Sequence, residues 1–270
     1  MTKARVAVIT DEAGPTQTDA LQFAKQHNLQ WVELRTVPDS KKEFAFLSEP
    51  ELKRYAAELA GAKIKVSLLK TSLLKFQWPQ FGGGEDEKKR WDGRHDDLAR
   101  AISAAQILGT DKIRIFTGTR SPDSAAALPA VVKAIEELTP AAESARVRLL
   151  IENEPTQNVA TCAELKALLD SVPSNSVGFN WDPLNAMALH ETAWPDGYAL
   201  LPKPRLWNVQ VKAESLAGGA DSVNWRSVLE QMQKDGYAGE VSLATEVFDG
   251  TFTKANDALG DLLHFVGELS

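Results

Sequence analysis

Short apolar runs without polar alternation recur along the chain, and several stop abruptly in charge. Val6-Ala7-Val8-Ile9 gives way to Asp11 and Glu12, and Leu149-Leu150-Ile151 gives way to Glu152, Asn153, Glu154 and Pro155. An uninterrupted apolar run of this length reads as a parallel strand covered on both faces. On this basis strands are predicted at residues 5–10, 30–35, 63–69, 112–116, 146–152, 177–182, 206–212 and 240–246. Helical periodicity predicts helices at 16–28, 50–60, 91–108, 121–145 with a break or kink near Pro140, 224–234 and 253–267. A further helix opens at Thr161-Cys162-Ala163-Glu164, which has the form of a capping box.

Strand and helix therefore alternate, which favours a parallel sheet. About eight such repeats in a chain near the ~250 residues typical of the fold predict an α/β protein, a single (β/α)8 TIM barrel over residues 1–270. No Gly-rich dinucleotide fingerprint follows the first strand, so a Rossmann arrangement loses support. Residues 71–90 interrupt the pattern with Lys75, Phe76, Trp78 and Pro79, then Gly82-Gly83-Gly84 and a charged run. Residues 76–90 read as a mobile loop, with Lys75 and Trp78 as part of a lid; the alternative is an insertion that covers nothing.

The charge at the strand ends carries the chemistry. Carboxylates there are costly unless paired, hydrogen-bonded or bound to a metal. Side chains alternate along a strand, so Glu152 and Glu154 share one face and Asn153 takes the other. Asp182, the polar end of the 206–212 strand and Glu246 repeat the design, which predicts one shared polar site at one end of the sheet. In a TIM barrel that end is the mouth formed by the C-terminal strand ends.

Composition narrows the partners. The net charge of −7 argues against nucleic acid, and no run approaches the ~20 apolar residues needed to span a bilayer. The single cysteine, Cys162, excludes an internal disulfide and a cysteine-rich zinc site. With no signal-peptide layout at the start, a cytoplasmic location is the expectation. An oligomer is left open.

With these residues in hand, the chain resembles the xylose-isomerase-like TIM barrels of the sugar phosphate isomerase/epimerase family. The matching pieces are Val32-Glu33-Leu34-Arg35, Leu150-Ile151-Glu152-Asn153-Glu154, Trp181-Asp182-Pro183-Leu184-Asn185-Ala186, Val209-Gln210-Val211-Lys212 and Gly236-Tyr237-Ala238-Gly239. The resemblance implies a divalent metal in the barrel mouth and a small sugar-like or polyol substrate. Glu152 and Asp182 match the family's first two metal carboxylates. The third family ligand, a histidine in a His-Val-Lys-Asp motif, is here Gln210, with Ala213 in place of the acid. Ala244 stands where the family has a glutamate, and Glu246 lies about 7 Å further along the same face.

The resemblance accordingly implies a divalent-metal-dependent isomerase or epimerase working by enediolate proton transfer. Glu152 would be ligand and acid/base, Asp182 and Gln210 ligands, Glu246 a ligand and partner acid/base, and Lys212 the group steadying the enediolate oxygen. An all-oxygen set suits Mg²⁺ or Mn²⁺ better than Zn²⁺. The departures leave two alternatives open. One is a degenerate barrel that has lost the metal, with Lys212 as counter-charge, and binds a sugar-like ligand without catalysis. The other is a lyase or dehydratase using the same site.

Further candidates for substrate contact are Glu33 and Arg35 (or an internal ion pair), Lys75, Trp78, His95, Glu154, Asn185 and Glu191. Arg114 and Arg120 bind an anionic substrate or, as the preferred reading, neutralise Glu152 and Glu154. The connection 184–204, with His190, Glu191, Trp194 and Tyr198, is a candidate pocket wall.

Overall fold

The apolar runs become the staves of a closed barrel. The computed structural model describes residues 5–216, 222–245 and 253–268. Its strands are β1 Val6–Ile9, β2 Trp31–Leu34, β3 Lys65–Lys70, β4 Lys112–Ile115, β5 Arg148–Glu152, β6 Val177–Trp181, β7 Leu206–Lys212 and β8 Glu240–Ala244. They are ordered β1 to β8 around the barrel, with β8 closing in parallel onto β1. Helices lie between them and turn apolar faces to the barrel: Leu52, Tyr55 and Leu59 from Glu49–Ala62, and Val131, Ile135 and Leu138 from Ser124–Ala145. Among the described residues no helix is long and apolar enough to cross a membrane.

Local signals act as their chemistry dictates. Thr161 Oγ1 accepts from the Glu164 N–H at 3.1 Å, and the Glu164 carboxylate accepts from the Thr161 N–H at 3.1 Å, so the capping box is formed. The long helix Ser124–Ala145 continues through Pro140, so of the expected break or kink there the break does not occur.

The segment read as a mobile loop is organised differently. Residues Pro79–Phe81 form a 3-10 turn and Glu85–Asp92 a helix, whose first turn is closed by Glu87 accepting from the Gly84 N–H at 3.1 Å. Gly93 then separates it from the helix Arg94–Leu108. Trp78 corrects the lid reading: it is fully buried, 4.9 Å from the Trp91 ring and 6.0 Å from the Phe81 ring, and its Nε1 donates to the Leu74 carbonyl at 3.2 Å. It anchors the segment to the body of the protein. Gly118, at φ +79°, passes so close beneath the indole that a Cβ there would lie 2.6 Å from it.

Such barrels are usually filled by layers of branched apolar side chains. Here much of the interior filling is polar. Glu33, Lys70, Lys112, Arg114, Glu152, Asn180, Asn208, Gln210, Glu240 and Ser242 are all buried. Register explains the stacking: Glu152 pairs with Asn180, Asn180 with Asn208 and Asn208 with Glu240, so these side chains share the inward direction across adjacent strands. Lys112 and Glu240 form an ion pair at the N-terminal end of the column. Above it Asn208 Nδ2 donates to Glu33 Oε1 at 2.7 Å and to Asn180 Oδ1 at 2.8 Å.

Candidate functional site

At the C-terminal strand ends a cavity of about 320 Å³ opens, near the lower end of the range for small-molecule sites. It is lined by Glu12, Arg35, Lys70, Lys75, Arg114, Glu152, Glu154, Pro155, Thr156, Asn185, Gln210, Lys212 and Ala244. A larger cavity of about 550 Å³ lies at the opposite end, among Arg5, Trp31, Lys112, Arg148 and Trp207. Active sites of this fold form at the C-terminal end, so the smaller cavity is the candidate site.

Its floor is a network of fixed charges. Arg114 Nη1 donates to Glu152 Oε2 at 2.7 Å, and Asn180 Nδ2 donates to the same oxygen at 3.1 Å. Lys70, among the largest fully buried side chains, hydrogen-bonds Gln210 Oε1 and lies 3.2 Å from Glu33 Oε2 and 3.9 Å from Glu152 Oε2. Burial alone would raise the Glu152 pKa. The Arg114 guanidinium and the Lys70 ammonium outweigh it and bring the group down to about 2.

Asp182 sits beside this group. Its Oδ2 accepts from Gln210 Nε2 at 3.2 Å and its Oδ1 from the Asn185 N–H at 3.1 Å. Lys212 Nζ is 3.8 Å from Asp182 Oδ2 and donates to Asn185 Oδ1 at 2.7 Å. Asn153, on the outward face of its strand, ties β5 to β6: it donates to the Asp182 carbonyl at 2.8 Å and accepts from the Asp182 N–H at 2.8 Å.

The rim is paired as well. Lys75 bridges to Glu154 at 2.6 Å and stands 4.5 Å over the Phe116 ring, which Arg114 also covers at 4.2 Å. Burial works against the Glu154 carboxylate, yet Lys75 and Thr156 hold its pKa below the usual range. Arg35 pairs with Asp11 at 2.7 Å and Glu12 at 3.0 Å, and Glu12 also accepts from the Thr245 N–H at 2.6 Å.

The structure thus brings Glu152, Gln210, Lys212, Glu154, Asn185, Lys75, Arg114 and Arg35 to one cavity, with fully buried Asp182 directly behind Gln210. Glu33 lies beneath it and pairs with Lys70; the internal pair considered between Glu33 and Arg35 is replaced by separate partners for each. Four candidates lie elsewhere, buried Trp78 among them. His95 is exposed on its helix. Arg120 pairs with Glu164 at 2.8 Å, so of the two arginines only Arg114 neutralises Glu152. Glu191 accepts the N–H groups of Cys162 at 2.6 Å and Ala163 at 3.1 Å, capping the helix Cys162–Ser171. Glu246 lies outside the described residues.

Sequence reasoning passed over Lys70, Asn180 and Asn208. Lys70 stood one residue beyond the predicted strand end. The asparagines carried a readable signal: each lies two residues before a recognised candidate, Asp182 or Gln210, and therefore on the same strand face.

The sequence profile of the family described as xylose isomerase-like TIM barrel matches residues 21–267. The chain belongs to that family. Solved structures share the fold over nearly the whole length. The IOLI protein, described with a binding zinc atom, is 16% identical with a TM-score of 0.76, and the match covers 98% of each chain. The 3-keto-D-glucoside 4-epimerase YcjR from E. coli is 14% identical with a TM-score of 0.75, covering 97% of this chain and 99% of that one. A xylose isomerase-like TIM barrel protein from Mycobacterium smegmatis in complex with magnesium is 16% identical with a TM-score of 0.70, covering 98% of each. No curated protein sequence matches the chain.

The metals named for those structures prompt a test of this family member's own donors. Gln210 Oε1 accepts from Lys70, Glu152 Oε2 from Arg114 and Asn180, and Asp182 Oδ2 from Gln210. Ala244 offers a methyl group to the cavity. Among the described residues no three of His, Cys, Asp and Glu converge as a metal-binding group. Among the described residues this donor set does not fit a resident divalent ion, because side-chain cations already neutralise the acids that would hold one.

Proposed function

We propose that the barrel mouth binds a small polyhydroxylated ligand of the sugar class, and that it does so without a divalent ion and without the enediolate chemistry expected of Glu152. The observation that carries this reading is the Glu152 carboxylate clamped by Arg114, Lys70 and Asn180. With its pKa held at about 2, it is a weak base, whereas a general base works best with a pKa near the operating pH. The cavity suits hydroxyl groups. Gln210, Asn185 and Lys212 offer neutral and cationic donors, and Glu154 and Glu12 offer acceptors. The wall itself carries five cations and three carboxylates, and Glu33, Asp182 and Asp11 paired behind it offset the excess, which favours a neutral polyol over a strongly anionic ligand.

A second reading keeps proton transfer at carbon, as an epimerase, isomerase or dehydratase. It is favoured by family membership and by full-length likeness to proteins described as a D-tagatose 3-epimerase-like protein and a probable 3-DHS dehydratase. In this reading Lys212 and Glu154, both at the cavity wall, are the nearest groups able to move a proton.

One experiment separates the two. The protein is titrated with a panel of ketohexoses and 3-ketoglycosides by calorimetry, and each binder is then incubated in D₂O with NMR detection of C–H exchange. Binding without exchange is the expected result. Catalysed deuterium uptake adjacent to a carbonyl would replace the first reading with the second, and absence of binding across the panel would remove both.

A further inference from the structure

Three oxygens from three strands converge on the ammonium of Lys70. Gln210 Oε1 on β7 is hydrogen-bonded to it, Glu33 Oε2 on β2 lies 3.2 Å away and Glu152 Oε2 on β5 lies 3.9 Å away. Each oxygen is oriented by something other than Lys70. Glu33 is held by Asn208 at 2.7 Å, Glu152 by Arg114 at 2.7 Å, and Gln210 by its own donation to Asp182 at 3.2 Å. Lys70 itself is 1% exposed. Its charged end is therefore enclosed by a preformed oxygen cage rather than reaching for solvent, as lysines usually do.

We propose that Lys70 is a built-in cation occupying a latent divalent-ion site formed by Glu33, Glu152 and Gln210, and that its presence makes the barrel mouth independent of metal. Two carboxylates and an amide oxygen form a hard, all-oxygen set of the kind that binds Mg²⁺ or Mn²⁺. An ammonium fills the same centre with longer contacts and cannot be exchanged. Replacing Lys70 by a short side chain removes the resident charge, leaves buried Glu33 without its ion-pair partner and Glu152 with Arg114 alone, and opens room for an ion and its waters. Asp182, linked to the cage through Gln210, adds negative charge nearby.

The test uses the full chain, reads metal alone, and involves no sugar, so its outcome is separate from that of the proposed ligand binding. Wild-type protein is stripped with EDTA and titrated with Mn²⁺, following free Mn²⁺ by electron paramagnetic resonance and unfolding temperature by calorimetry. The wild type is expected to bind no Mn²⁺ at the mouth and to unfold at one temperature with Mn²⁺ or EDTA. Lys70→Ala, and Lys70→Ser as a second variant, are expected to bind one Mn²⁺ at least about tenfold more tightly than the wild type. Their unfolding temperature should rise with Mn²⁺ and fall with EDTA, since an ion that binds only the folded state stabilises it. Variants that fold only when refolded with Mn²⁺ support the proposal equally. One Mn²⁺ per wild-type chain that is lost in Asp182→Asn would overturn it. So would variants that gain no Mn²⁺ affinity, or that stay unfolded with the ion present.

Discussion

Arg114 and Glu152 face each other across neighbouring strands at 2.7 Å, and both side chains are buried. Little water reaches either group, and each is the other's nearest counter-charge. Arg114→Met leaves the Glu152 charge short of its main partner and is expected to cost about 3–5 kcal/mol, the range for breaking a buried pair from one side. The double variant Arg114→Met, Glu152→Met removes both charges and is expected to cost markedly less than the sum of the single changes. Urea denaturation of the four proteins in the cycle measures this directly.

The same pair sets a pH dependence. Glu152 is held at about 2 against an ordinary value of 4.5, so the folded state binds its proton less readily than the unfolded chain does. Its contribution, on the order of 3 kcal/mol, is present above the unfolded value and is lost as pH falls through the folded one. Glu164, held at about 2 against burial by Arg120, Ser124 and two backbone N–H groups, adds in the same direction. Stability measured from pH 5 down to pH 2 should fall, and Glu152→Gln should flatten that decline. An equally steep fall in the variant would count against the assignment.

Lys212 offers the cavity a charged donor while resting on Asn185 and Asp182. A hydrogen bond from a charged group contributes about 1.5–3 kcal/mol. Lys212→Ala is therefore expected to weaken binding of a sugar-class ligand by about tenfold or more, by calorimetry. Asn185→Ala should weaken it by a smaller factor, because its own contribution is a neutral one.

The turn beneath Trp78 gives a prediction remote from the mouth. Gly118 has φ +79° and the indole lies where a side chain would begin. Gly118→Ala adds left-handed strain of about 1 kcal/mol and forces a rigid, fully buried ring to move. The melting temperature and the near-ultraviolet dichroism of the tryptophans should both change. Retention of both would mean the segment has more room than its packing indicates.

How far the sequence could be read depends on the range of the signal. The barrel follows from local periodicity, since apolar runs and helical faces are properties of a few adjacent residues. The mouth followed too, because Glu152, Asp182, Gln210 and Lys212 lie at the ends of parallel strands and so at one end of the cylinder. What pairs with what was not legible. Lys70 and Gln210 are 140 residues apart and meet only because the sheet closes and sets β3 opposite β7. A charged residue in isolation does not reveal whether it faces a substrate or a partner across the barrel. Glu191 and Arg120 looked like site residues and serve helix ends and loop ties. Trp78 carried a signal that misled: an aromatic beside glycines and charges reads as a flap, but its burial arises from Trp91 and Phe81 folding back around it.

The Lys112–Glu240 pair at the foot of the barrel has a further consequence. With Glu33, Asn180 and Asn208 fully buried above it, the described residues leave no through-passage along the axis for water or solute. Whatever enters at the strand tips must leave by the same doorway, so departure of one molecule has to precede arrival of the next.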